Sequence, residues 1–193
     1  GSEMCIRDSQ SAGGRTITTT EPKFIPQEAV ELKLAGEVTI RVRLVDCVGF
    51  MVEGAAGHLE DGAERLVKTP WYDHEIPFTQ AAELGTRKVI TDHSTIGVVV
   101  TTDGSFSDLP QETYLDAENQ AISELKKLHK PFLVLVNSSH PSSRTAREAA
   151  ERIEKQHSVA AMPVNCAQLS EEDIRQIMEQ ILYEFPVSRV EFY

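Results

Sequence analysis

The sequence predicts an α/β domain: an antiparallel hairpin followed by a doubly wound, largely parallel sheet. Three observations carry this. Helical and strand periods alternate from residue 78 to residue 184, the pattern of strands joined by crossover helices. Phe132–Val136 is a continuous apolar run after Pro131, as a strand covered on both faces requires. Two runs of apolar/polar alternation, Ala29–Leu34 and Val38–Asp46, flank Ala35-Gly36, which reads as a hairpin and its turn.

Residues 10–26, rich in Gly, Ser and Thr, read as a loop before the hairpin. The second hairpin strand gives way to a loop at Asp46-Cys47-Val48-Gly49. Residues 50–76 carry glycines and charges without a period. They predict a long surface insertion, and that length favours a functional role. A helix is expected over Phe78–Asp92 and a strand over Ser94–Thr102, closed by Gly104. Tyr114–Leu128 places Leu115, Ala121, Ile122, Leu125 and Leu128 on one helical face. Phe132–Asn137 is the next strand, Ser143–Gln156 a helix, Ala160–Val164 a short strand and Glu171–Glu184 a last helix. Ser170 and Asp173 form an acidic variant of the capping box at its start.

The 193 residues carry 19 Lys+Arg against 30 Asp+Glu, a net charge of −11. That acidic balance argues against a bulk nucleic-acid binder, which needs clustered cations. The longest apolar runs are about five residues, against the roughly 18 a membrane-spanning helix needs, so no transmembrane segment is expected. Three scattered cysteines, Cys5, Cys47 and Cys166, make neither a disulfide scaffold nor a zinc site, and a reducing cytoplasm is the default. The six histidines lack metal-ligand spacing.

Asp46 and Gly49 are the strongest local signal. An Asp ending an apolar strand holds hydrated magnesium in nucleotide hydrolases, and a Gly three positions on brings its N–H to the terminal phosphate. The same residues are favoured wherever a strand ends at a turn. About thirty positions upstream, Thr16–Thr20 is a hydroxyl-rich loop, either a solvated turn or a ligand of magnesium and the γ-phosphate. Gly14-Arg15-Thr16 imitates the end of G-x-x-x-x-G-K-[ST], but Ser9 and Arg15 stand where Gly and Lys belong. No stretch of the sequence fits that motif. Asn137-Ser138-Ser139-His140 ends a buried strand where GTPases carry N-K-x-D; His140 replaces the guanine-binding Asp, which permits ATP. Asn165-Cys166 ends the next strand, where a base-flanking loop belongs.

The runs TTTEPKFIP, RLVDCVGF, TPWY, IPFTQAAELGTRKVITDHSTIGVVVTTDGS, KPFLVLVNS and LYEFPV resemble the stage IV sporulation protein A family, the ATPases of the spore-coat basement layer. The likeness runs from Gln10 to the C-terminus. It implies a three-layer P-loop NTPase fold of the translation-factor GTPase-like type. It also implies ATP hydrolysis with Mg2+ and polymerisation tied to that hydrolysis. By motif, Asp46 becomes the Walker B aspartate, Gly49 the switch glycine, and Thr19 and Thr20 the catalytic threonines sensing the terminal phosphate. Asp46 and Thr19 or Thr20 would hold the magnesium. Gly49, Asn137, Ser138, Asn165 and Cys166 would bind the nucleotide. Phe50 stands where many GTPases carry a catalytic Gln, which leaves the threonine loop to orient water. Arg87 and Lys88 either neutralise phosphate charge or form a solvated helix face.

The resemblance implies a cytoplasmic location on the mother-cell side of the outer forespore membrane, in the spore coat. Its implied partners are other copies of the chain, a small membrane-anchoring amphipathic peptide and other coat proteins. Gly1–Ser9 reads as an adaptor or cloning scar, residues 10–185 as the ATPase domain, and 186–193 as the start of a following domain. On that division the family's first strand, P-loop and first helix are lacking, and the chain alone is expected to be inactive. A non-catalytic scaffold with a degenerate NTPase fold is the competing expectation.

Overall fold

The computed structural model describes residues 23–34, 39–52, 59–60, 62–106 and 109–185. Strands β1 (Lys23–Lys33) and β2 (Thr39–Asp46) pair antiparallel from Lys33 opposite Thr39 to Lys23 opposite Asp46. β1 thus begins six residues before Ala29, in a stretch expected to be loop. Its register shifts between Ile25 and Val30, around Pro26, and such an irregularity tolerates a residue without an N–H. Proline and the broken register hide the period-2 signal there. The Ala35-Gly36 turn, the threonine loop and Pro186–Tyr193 lie outside the described residues.

The segment expected to be an irregular insertion contains four two-residue strands. β3 (Leu59–Glu60) pairs with β4 (Ala63–Glu64), and β5 (Leu66–Val67) with β6 (Ile76–Pro77). Ladders this short show no period in a sequence. Helix α1 (Phe78–Lys88) follows, continuing into one wide helical turn at Val89–His93.

The core is the parallel sheet β7 (Gly97–Thr102), β8 (Phe132–Asn137) and β9 (Ala161–Val164), with β8 in the middle. Helix α2 (Leu115–Lys127), entered by a 3₁₀ turn at Gln111–Tyr114, connects β7 to β8, and α3 (Arg144–His157) connects β8 to β9. Helix α4 (Glu171–Tyr183) follows β9. Alternate residues of β8 point to opposite layers. Phe132, Val134 and Val136 pack with Ile122 and Leu125 of α2 and Ala149, Ala150 and Ile153 of α3. Leu133 and Leu135 pack with Ile177 and Ile181 of α4. Helices therefore cover both sheet faces, as the apolar run predicts. Each fully buried Leu, Ile or Val contributes roughly 1.5–3 kcal/mol.

At Gly97 an added Cβ would lie 2.7 Å from a Leu125 methyl and 3.1 Å from the Phe132 Cβ. The missing side chain lets α2 approach the sheet. Glu118 of α2, 4% exposed, accepts two hydrogen bonds from the Arg152 guanidinium (2.8 and 3.1 Å) and one from the Thr101 hydroxyl (2.8 Å). That network ties α2, α3 and β7 together.

The hairpin and the parallel sheet do not form one ladder among the described residues. A mostly apolar cavity of about 200 Å³ lies between β2 and β7, lined among others by Val45, Phe50, Val52, Val98 and Val100. Leu44 and Val98 are 50% and 42% exposed. A hydrophobic pattern marks a strand but not its neighbour, so this separation is visible only in the structure.

Candidate functional site

The carboxyl ends of the strands carry the candidate residues in two groups, one after β2 beside this cavity and one after β8 and β9. In the first group β2 ends at Asp46, whose side chain is exposed, followed by half-buried Cys47, Val48 and Gly49 and buried Phe50. Gly49 adopts φ +84°, a conformation that strains any residue with a Cβ. An ideal Cβ there would meet no atom within 4 Å, so glycine serves the backbone angle rather than close packing. The Gly49 N–H donates to the Thr86 hydroxyl at 2.9 Å, and that hydroxyl donates to the Gly49 carbonyl at 3.1 Å. Burial raises the Cys47 thiol pKa, and the Asp46 charge adds to the shift. Hydrogen bonds to the Gly49 backbone and the Thr86 hydroxyl act in the opposite direction.

In the second group, β8 and β9 end together. The Asn137 side-chain oxygen accepts from the Cys166 N–H at 3.0 Å. The Ser138 N–H donates to the Val164 carbonyl at 2.8 Å. Asn165 accepts from the Ala167 N–H at 3.1 Å and so shapes the turn after β9. Ser138 is fully buried, and its hydroxyl accepts from the His140 N–H at 3.1 Å. His140 is exposed, with Nδ1 2.9 Å from the Ser139 hydroxyl. Asn137, Ser138, Asn165 and Cys166 thus form one hydrogen-bonded corner. Burial raises the Cys166 thiol pKa.

Asp103 and Ser105, which follow β7, also belong to this corner and were not among the sequence candidates. Ser105 donates to Asp103 through its N–H at 3.0 Å and its hydroxyl at 2.5 Å, and its hydroxyl accepts from the Ser139 N–H at 2.8 Å. Partial burial pushes the Asp103 carboxyl up, but hydrogen bonds from the Ser105 and Ser138 hydroxyls outweigh it and hold the pKa below the ordinary range. The Thr102-Asp103-Gly104 run at a strand end was the available signal; only the fold puts Ser138 within reach. Thr86 was missed as well, because a mid-helix threonine carries no mark of a partner 37 positions away.

Thr19 and Thr20 lie outside the described residues. Arg87 pairs with Glu124 at 3.4 Å and Glu83 at 4.0 Å, and the Lys88 ammonium sits 5.6 Å from the Trp71 ring centroid. Both cations have partners on or beside the helix face. Among the described residues no three His, Cys, Asp or Glu side chains are placed to hold a metal together. The donor set at β2 is therefore one exposed carboxylate, Asp46. Such a set suits magnesium, which keeps several waters and takes one or two carboxylates beside substrate phosphates. No described helix is long and apolar enough to cross a membrane.

An α/β domain with a parallel sheet and its polar loops at the carboxyl strand ends, where open sheets bind ligands, is consistent with the P-loop NTPase-like class. The family model "Stage IV sporulation protein A, ATPase domain" matches residues 5–186, and the chain belongs to that family. Proteins called stage IV sporulation protein A from Clostridioides difficile (strain 630), Bacillus anthracis and Bacillus subtilis (strain 168) are 47%, 42% and 42% identical to it over 181 residues. Each match covers 94% of this chain, which spans 37% of the length of those relatives.

Proposed function

We propose that this domain hydrolyses ATP in a sporulation protein, and that hydrolysis drives self-assembly of the spore-coat basement layer. The observation that carries the reading is the match to an ATPase domain over residues 5–186, together with polar residues at the carboxyl ends of β2, β8 and β9. In this reading Asp46 is the Walker B aspartate and orients hydrated magnesium together with Thr19 or Thr20. Magnesium, when bound, neutralises phosphate charge and orients the terminal phosphoryl group. Thr19 and Thr20 sense that group and orient water, and the Gly49 N–H contacts it. Asn137, Ser138, Asn165 and Cys166 flank the base. In this reading the fold is the translation-factor GTPase-like type.

The reading places the full-length protein on the mother-cell side of the outer forespore membrane. There it would contact copies of itself, a membrane-anchoring amphipathic peptide and other coat proteins. A non-catalytic scaffold with a degenerate NTPase fold is the second reading. Asp46→Asn in the full-length protein discriminates the two. Under the ATPase reading it lowers phosphate release at least a hundredfold and abolishes polymer recovered by sedimentation in ATP. Assembly that proceeds equally in the variant and without nucleotide would establish the scaffold.

A further inference from the structure

Thr86 is 2% exposed and, with Val89 and Ile90, lines the apolar cavity between β2 and β7. A hydroxyl in such surroundings is unfavourable unless it is hydrogen-bonded, and valine would have the same shape. The hydroxyl accepts from the N–H and donates to the carbonyl of one residue, Gly49, at 2.9 and 3.1 Å, and the Cys47 thiol lies beside it. One helical side chain therefore holds both polar groups of the residue that ends the Asp46–Gly49 turn. The space where a Gly49 Cβ would sit is empty, so no packed side chain holds Gly49 in place on that side.

We infer that Thr86 is a positioning residue, a latch on Gly49 that the terminal phosphate of the bound nucleotide displaces. This rests on the reading of Asp46 and Gly49 as the γ-phosphate side of the site. In the conformation described, the Gly49 N–H is already satisfied by Thr86. A γ-phosphate oxygen reaches that N–H only when it exchanges partners. A diphosphate has no γ-phosphate and leaves the latch closed. Thr86 therefore opposes triphosphate binding and is neutral toward diphosphate. A ligand shifts a conformation only through such differential contacts. The exchange removes the hydrogen bond that the Thr86 hydroxyl accepts from Gly49 and so couples the γ-phosphate to α1.

The test is calorimetric titration of the full-length protein with ADP and with a non-hydrolysable ATP analogue, both with magnesium. Wild type, Thr86→Val and Thr86→Ser are compared. Valine keeps the shape and removes the competing acceptor, so the ratio of analogue affinity to ADP affinity rises roughly tenfold. Serine keeps the hydroxyl and the wild-type ratio. An unchanged ratio in Thr86→Val, or equal weakening of both ligands, overturns the latch in favour of a purely structural hydroxyl. Hydrogen exchange over residues 46–52 of the wild type supplies a readout that needs no variant. It changes more with the analogue than with ADP if the latch exists, and identical exchange with both overturns it. Asp46→Asn is run in parallel. If that variant hydrolyses ATP like wild type, the nucleotide reading itself fails. If it is inactive while the Thr86→Val ratio stays unchanged, only the latch fails.

Discussion

His140 stands three positions after Asn137, where GTPases place the carboxylate that accepts two hydrogen bonds from guanine. A neutral imidazole accepts one hydrogen bond and its protonated form none. Replacing a charged acceptor opposite buried donors costs on the order of 1–3 kcal/mol, so the full-length protein is expected to prefer ATP over GTP. The notional reversal is His140→Asp with Ser138→Lys. The structure separates the two changes. His140 is exposed, whereas Ser138 is fully buried and accepts from the His140 N–H, so a lysine there disrupts the corner itself. His140→Asp alone is thus the cleaner variant, expected to move the GTP-to-ATP affinity ratio toward GTP by roughly ten- to a hundredfold. Competition between the two nucleotides measures it. A native preference for GTP would show that the Asn137 loop does not read the base.

Between elements, the Glu118–Arg152 pair sets the packing of α2 on α3. The Glu118 side chain is 1% exposed and that of Arg152 32%, so truncating the arginine strands a carboxylate with the Thr101 hydroxyl as its remaining partner in the network. Arg152→Ala is expected to destabilise by about 3 kcal/mol, read as a lower denaturation midpoint at unchanged slope. At the start of α4 the capping box is reciprocal. The Ser170 hydroxyl accepts from the Asp173 N–H at 3.1 Å, and the Asp173 carboxylate accepts from the Ser170 N–H at 2.8 Å. The Ser170 hydroxyl and N–H hold the Asp173 pKa below its ordinary value. A depressed carboxyl pKa contributes stability that is present above the unfolded pKa of about 3.9 and is lost as pH falls through the folded pKa. Melting temperatures of wild type should therefore fall more steeply with acidification below about pH 4 than those of Asp173→Asn. Parallel slopes would show that the box contributes no pH-dependent stability.

For the molecule as a whole, phosphate affinity in P-loop NTPases comes largely from the backbone cradle and lysine of G-x-x-x-x-G-K-[ST]. That motif is absent from these 193 residues, whose net charge is −11. The chain by itself is therefore expected to bind Mg-ATP weakly or not at all, with no saturable heat at micromolar protein in calorimetry. Micromolar affinity would show that the β2 and β8 ends suffice without the cradle.

Local patterns by themselves determined the parallel α/β core. The continuous apolar run of β8 required cover on both faces, and α2 and α3 on one side with α4 on the other supply it. Ser170 marked a helix start because an N-cap's chemistry is contained within three residues. Asp46, Asn137 and Asn165 could be read as strand ends for the same reason. Tertiary structure alone decided what sits beside what. The Thr86 hydroxyl on Gly49 and the Asp103 carboxyl near Ser138 each join residues dozens of positions apart. Side chains at such separations leave no periodic trace in a sequence, because their contacts follow from how helices and strands pack and not from the spacing within any one of them.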